Sequence, residues 1–443
     1  MNPSLAKGKA KRKLHTGNLY VQFDEEMEVE RPLFYSSPST PRYKDPVYLK
    51  LFVMASKETN STFDEFCTKC HSPIAIITGE KLSADNYKVS EVAEKGISCD
   101  FCHTVNASSG IANGAFISSP GKTKYGPLED SNYSTFHKTA YSELHTKSEF
   151  CGMCHDVNHP FNGLPLESTY TEWKEGPYNP TTPCQDCHMT PGITKFMKNP
   201  GRAAAGGPMR EHISTHDFVG GNAMLPGLLG SPEHDRLAKE RLRLAATIEI
   251  ENIEQTNETV KFNIKVTNVG AGHKIPTGLT EARMVWLEIN VMDKTGKKIF
   301  SSGQMDKDGY IEEQAVVYHT VLGDSSGKPT MKVWLADRIL SDNRIPPKGQ
   351  SIETFTFNVP GDAVGPLNIS AKLNYISATQ ELADELFGKG VIKPPVVEMA
   401  SANVLTNTGM VPSITPKEVP GFTFFIPALV ILILYIRIKR INK

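Results

Sequence analysis

The eight cysteines of this 443-residue chain fall into four pairs, each with two residues between and a histidine directly after. They read FCTKCH at Cys67 and Cys70, SCDFCH at Cys99 and Cys102, FCGMCH at Cys151 and Cys154, and PCQDCH at Cys184 and Cys187. At this chain's own Cys and His frequencies, CxxCH would arise by chance on the order of 0.004 times. Two thiols at that spacing can each form a thioether to a haem vinyl group, while the next histidine lies under the porphyrin and binds iron. Zinc ribbons also use CxxC pairs but do not need a histidine after every one. The spacing predicts four covalently bound haem c groups with His71, His103, His155 and His188 as proximal ligands.

A low-spin electron-transfer haem needs a second axial ligand. Nine histidines remain: His15, His137, His145, His159, His212, His216, His234, His273 and His319. His137 and His145 lie eight residues apart in TFHKTAYSELHTKSEFCGMCH, where two helical turns would aim them at different haems. His216 sits in THDFVGGN after the last motif, with His212 in REHISTH as its competitor. His159 follows His155 too closely to reach round its own haem. His15, His234 and His319 read as ordinary polar contacts. His273 stands in GAGHKIPTG, where glycines at 270, 272 and 278 would let backbone approach a porphyrin edge and Pro276 would stiffen the loop. The distal set expected from the sequence is therefore His137, His145, His216 and His273.

The elements that must carry these residues divide the chain. Residues 1–59 are polar and proline-punctuated, with a basic KGKAKRK run that no apolar stretch follows, so no export signal is visible. Residues 60–230 hold every cysteine and many Gly, Pro, Ser and Asn residues, with weak periodicity. A faint duplication shows in FDEFCTKCH and KSEFCGMCH, each followed 32 or 33 residues later by another motif. Residues 231–400 begin with a helix capped at Ser231-Pro232. Then AATIEIENI, TVKFNIKVTNV, MVWLEINVMD, SIETFTFNV and LNISAKLNYI alternate apolar with polar residues. That pattern predicts an antiparallel, immunoglobulin-like β-sandwich. Residues 401–419 read as a linker. In residues 420–443, an apolar run at 422–436 precedes Arg437, Lys439, Arg440 and Lys443, the pattern of one C-terminal transmembrane helix with a cytoplasmic end. The expected whole is multidomain: a haem-packed, loop-rich, mainly α tetrahaem domain, then the sandwich, then the anchor.

Formal net charge is −1, from 48 basic and 49 acidic residues, which argues against nucleic acid as a partner. FCTKCHSP, GISCDFCHT, LPLESTYTEWKEGPY and CQDCHM resemble the tetrahaem and larger multihaem c-type cytochromes of bacteria and archaea. THDFVGGN and GAGHKIPTG extend the likeness into segments that supply distal ligands in that family. The resemblance implies haems in near contact that pass electrons from iron to iron. PGF followed by a short apolar helix and a basic end is similar to an archaeal sorting signal. Five Asn-X-Ser/Thr triplets, at Asn60, Asn106, Asn132, Asn257 and Asn368, fit an exterior protein.

These readings lead to a carrier of single electrons at the extracytoplasmic face of a membrane. Its expected partners are redox cytochromes or a quinol-linked membrane donor, and a surface layer or filament is a further possible assembly. The competing readings are a multihaem oxidoreductase with one open haem, acting on a small nitrogen or sulfur species, and a subunit of an extracellular cytochrome filament. The supply of spare histidines and the lack of a CxxCK variant favour the carrier.

Overall fold

The structure is a computed structural model that describes residues 45–256 and 258–406. Helix α1 (Pro46–Glu58) starts where the Asp45 carboxylate accepts the Val47 and Tyr48 amides, and it buries Tyr48, Phe52 and Ala55. The first cysteine motif lies on α2 (Asp64–His71), followed by α3 (Pro73–Thr78). The second lies on α4 (Cys99–Cys102), where the Ser98 hydroxyl caps the Phe101 amide. Strands β1 (Val105–Ser108) and β2 (Phe116–Ser118) pair antiparallel, while β3 (Thr123–Gly126) and β4 (Lys138–Tyr141) pair parallel. The third motif begins on α5 (Glu149–Gly152). The hairpin β5 (Val157–Asn158) and β6 (Pro165–Glu167) comes next, then α6 (Thr169–Glu175), and the fourth motif on α7 (Cys184–His188).

The motif-bearing region is not the mainly α domain expected from the sequence. Its helices after α1 run from four to eight residues, and three two-stranded sheets separate them. Few segments there carry an apolar period long enough to bury a helix face, so turns close on local bonds instead. Residues 137–145 show the same outcome. Instead of two helical turns, β4 pairs Thr139 and Ala140 with Lys124 and Tyr125, and a short 3-10 turn follows at Glu143–Thr146. The β-branched and aromatic residues of KTAY suit the strand.

Downstream, the strands form two packed sheets. After α8 (Leu225–Leu228), helix α9 (Pro232–Ala245) leads directly into β7 (Ala246–Gln255). The Ser231 hydroxyl pairs with the His234 ring rather than with a backbone amide. One layer is β7 with β8 (Thr259–Asn268) and, later in the chain, β15 (Gln350–Asn358), in the order β15-β8-β7. The other layer holds β9 (Met284–Met292), β10 (Lys298–Ser302) and β11 (Val317–Tyr318), joined by β16 (Leu367–Ile376) and β17 (Val396–Thr406). A small side sheet pairs β12 (Thr320–Gly323) with β13 (Pro329–Thr330) and β14 (Arg338–Asp342). Helix α10 (Gln380–Phe387) crosses between β16 and β17.

Alternation decides which face is inside. Val260, Phe262, Ile264 and Val266 of β8 meet Val285, Leu287, Ile289 and Val291 of β9 and Leu367, Ile369 and Leu373 of β16, all at 0 or 1 % exposure. Each such side chain contributes roughly 1.5–3 kcal/mol by burial.

Among the described residues no helix is long and apolar enough to cross a membrane. This corrects the expectation of a C-terminal transmembrane helix and of placement in the cell membrane. Residues 422–436, which carried that expectation, lie outside the described residues, as does His15.

Candidate metal centre

Helical turns suit the cysteine motifs. One turn sets residues i, i+3 and i+4 on a common face, so two thiols and the histidine point the same way. The turns close through His103 N to Cys99 O and His155 N to Cys151 O, both 2.9 Å. The four turns also converge. The Cys70 thiol lies beside that of Cys154 and the Cys151 thiol beside that of Cys184, so the third motif adjoins the first and the fourth. None of the eight cysteines is in a disulfide. Burial holds the Cys67 thiol up at about 12 and that of Cys187 at about 11, so both stay neutral.

Two of the histidines that end these motifs face other imidazoles. The ring of His188 lies 6.5 Å from that of His273, with 22° between the planes. His103 lies 6.3 Å from His216 and 5.8 Å from His145. Two imidazoles that share one metal through bonds of roughly 2 Å hold their ring centres roughly 6 Å apart, so these separations fit haem iron between them. The nitrogens agree. His103 Nδ1 donates to Tyr125 O at 2.6 Å, His188 Nδ1 to Val219 O at 3.1 Å and His273 Nδ1 to Lys274 O at 3.0 Å, leaving each Nε2 as the acceptor nitrogen. Burial pulls His188 down to about 3 and also lowers His103, His216 and His273, keeping all four in the neutral form that ligates metals.

His145 is turned the other way. Its Nε2 donates to Cys102 O at 3.1 Å, its Nδ1 is buried with no partner, and burial lowers its pKa to about 4. His137 is half-buried at the start of β4, with Nδ1 on Lys138 O. His212 packs on Phe196 at 4.8 Å, and its Nδ1 accepts the Asn199 amide. His159 is fully engaged, accepting the Phe161 and Asn162 amides and donating to Trp334 O. His71 stacks on Tyr48 at 4.0 Å.

Sequence reasoning did not see what aims His273. Glu172 of α6, inside the TEWKE stretch, accepts the Lys274 amide at 3.0 Å and pairs with Arg344 at 2.7 Å, both side chains almost fully buried. Asn268 holds the same loop through His273 O and Ile345 O. The loop glycines also meet backbone demands of their own. A methyl at Gly270 would overlap the Leu244 carbonyl at the end of α9, and Gly278 sits at φ +82. Glu167 beside His155 was also missed, because its contact crosses the β5–β6 hairpin.

No protein-family model matches the chain, and no curated protein matches its sequence. Among solved structures it is similar to a penta-heme cytochrome c552 from Thermochromatium tepidum, with TM-score 0.56 at 16% identity, covering 82% of this chain and 94% of that one. The chain has a multihaem-cytochrome-like fold. The CARDB domain of the PF1109 protein from Pyrococcus furiosus covers 37% of this chain and 85% of its own length at 15% identity. Its TM-score of 0.15 carries no weight.

Proposed function

We propose that the protein is a c-type electron carrier with four covalent haem c groups, attached at Cys67/Cys70, Cys99/Cys102, Cys151/Cys154 and Cys184/Cys187. The observation that supports this most is the meeting of four CxxCH turns in one region, with His216 and His273 set across from His103 and His188. Haem supplies a one-electron iron couple. The chain's own residues do the rest. Backbone carbonyls of Tyr125 and Val219 fix the tautomers of His103 and His188. The sandwich delivers His273, and burial keeps these imidazoles neutral. His216 and His273 would serve as distal ligands, while His145 donates to the Cys102 carbonyl from behind. Contact among the third, first and fourth motifs would hold the groups attached there near one another, as electron passage requires. Donor and acceptor would be other redox proteins.

Potentiometric titration of the purified chain, followed at the haem absorption bands, tests this. The expected result is reversible one-electron steps summing to four electrons per chain. A chain that carries no redox-active absorption contradicts it.

A further inference from the structure

Between the side sheet β12–β13 and helix α10 the fold forms a cavity of about 410 Å³, and no residue of a CxxCH motif lines it. Three of its lining side chains hold buried atoms with no hydrogen-bond partner among the described residues: Glu281 Oε2, His319 Nδ1 and Thr320 Oγ1. Glu281 is only 5% exposed and Thr320 4%. The Thr320 amide donates to Thr280 O at 3.1 Å, which brings β12 against the Glu281 segment. Buried polar groups nearly always find partners, because burying one without a bond is costly. Three such atoms meeting at one cavity point to a ligand that satisfies them.

Charge narrows the chemistry of that ligand. Glu312, Glu313 and Glu381 stand exposed at the rim, and no Lys or Arg is among the lining residues. Arg283, Arg344 and Glu167 also act on Glu281, from outside the lining. Burial lowers the pKa of His319, so its ring is neutral and offers hydrogen bonds rather than charge. Leu322, Met331 and Ile376 give the cavity an apolar wall. An acidic set with hydrocarbon beside it suits a molecule that carries one positive charge on an apolar body.

We propose that this cavity binds a small organic cation, its ammonium group held by Glu281 and Thr320 and its hydrocarbon part against Leu322, Met331 and Ile376. The site does not depend on the haem-carrier reading. The test titrates the full haem-bearing chain by calorimetry with phenethylammonium, with phenethyl alcohol as the neutral counterpart and phenylacetate as the anionic one. The expected result is one phenethylammonium per chain, bound roughly ten-fold or more tighter than the alcohol, and no binding of phenylacetate. Desolvation holds the Glu281 carboxyl at about 7, and only its ionised form attracts a cation. Affinity should therefore rise about ten-fold between about pH 6 and 8.

Glu281→Gln should abolish both that rise and the preference for the cation over the alcohol, with haem content unchanged. Met331→Trp, which narrows the cavity at its apolar wall, should lose the binding, and it serves as the test if Glu281→Gln does not fold. Absence of saturable phenethylammonium binding, or equal affinity for cation and alcohol in the unsubstituted chain, overturns the inference and leaves the haem reading untouched. So does cation binding that both substitutions leave unchanged. A chain that lacks covalent haem but keeps the cation preference would overturn the haem reading alone.

Discussion

At the scale of single residues, the relation between His188 and His273 concentrates the chemistry. The two lie 85 residues apart in sequence, and two parts of the fold bring their rings to 6.5 Å. His273→Ala is expected to leave every haem attached while one changes spin state or shifts potential, read by EPR and redox titration. An unchanged spectrum would reduce the loop to a turn. Glu172 acts at one remove, because its carboxylate holds the loop and pairs with Arg344 in a nearly dry site. Removing one partner of a buried pair strands the other charge, so Glu172→Gln should cost about 3 kcal/mol in urea unfolding. The same variant should broaden the signal assigned to the His273 site. The CxxCH motifs stand out in the sequence because haem attachment would fix their local spacing. Glu172 and Glu167 were not, since a lone carboxylate acquires meaning only from what the fold sets beside it.

At the scale of elements, the strands of the two sheets were readable from alternation in TVKFNIKVTNV and LNISAKLNYI, which β8 follows as far as Val266 and β16 as far as Leu373, after which Asn374, Tyr375 and Ile376 are all buried. The segment carrying His137 and His145 was not, because the parallel partner of β4 lies outside any local window. The 420–443 pattern suggested an anchor, but the described residues contain no helix able to cross a membrane.

Two element-level outcomes follow. Gly270→Ala should drive the loop off the end of α9 and weaken delivery of His273, reproducing part of the His273→Ala spectrum. Glu281, between Pro276 and β9, is buried, and desolvation raises its carboxyl to about 7. A group whose folded pKa is raised stabilises most below its unfolded pKa, and that contribution is lost as pH rises through the folded value. Stability should therefore fall between about pH 4.5 and 7 on account of this residue, and Glu281→Gln should flatten the slope. Urea midpoints across that range would show it, and a slope identical in the variant would exclude Glu281 as its source.

At the scale of the whole molecule, the motif-bearing part and the sandwich are joined at several points besides His273. Glu58 of α1 accepts from Trp334 Nε1 at 2.8 Å and from Lys332 at 2.7 Å, and Asn162 donates to Ala336 O. Val47, Leu51 and Met54 of α1 pack against Leu382 and Leu386 of α10 and Ala282. Such a joint should make unfolding cooperative across both parts. Haem absorbance and tryptophan fluorescence from Trp286 and Trp334 should then report one coincident transition, whereas two separate midpoints would show independent domains. The claim beneath all of this is that each CxxCH turn holds a haem. Pyridine haemochrome absorbance set against protein concentration, on chain matured by a host that attaches haem c, measures it directly. The predicted result is four haems per chain. Fewer than four, with the remaining cysteines still titrating as thiols, would contradict it.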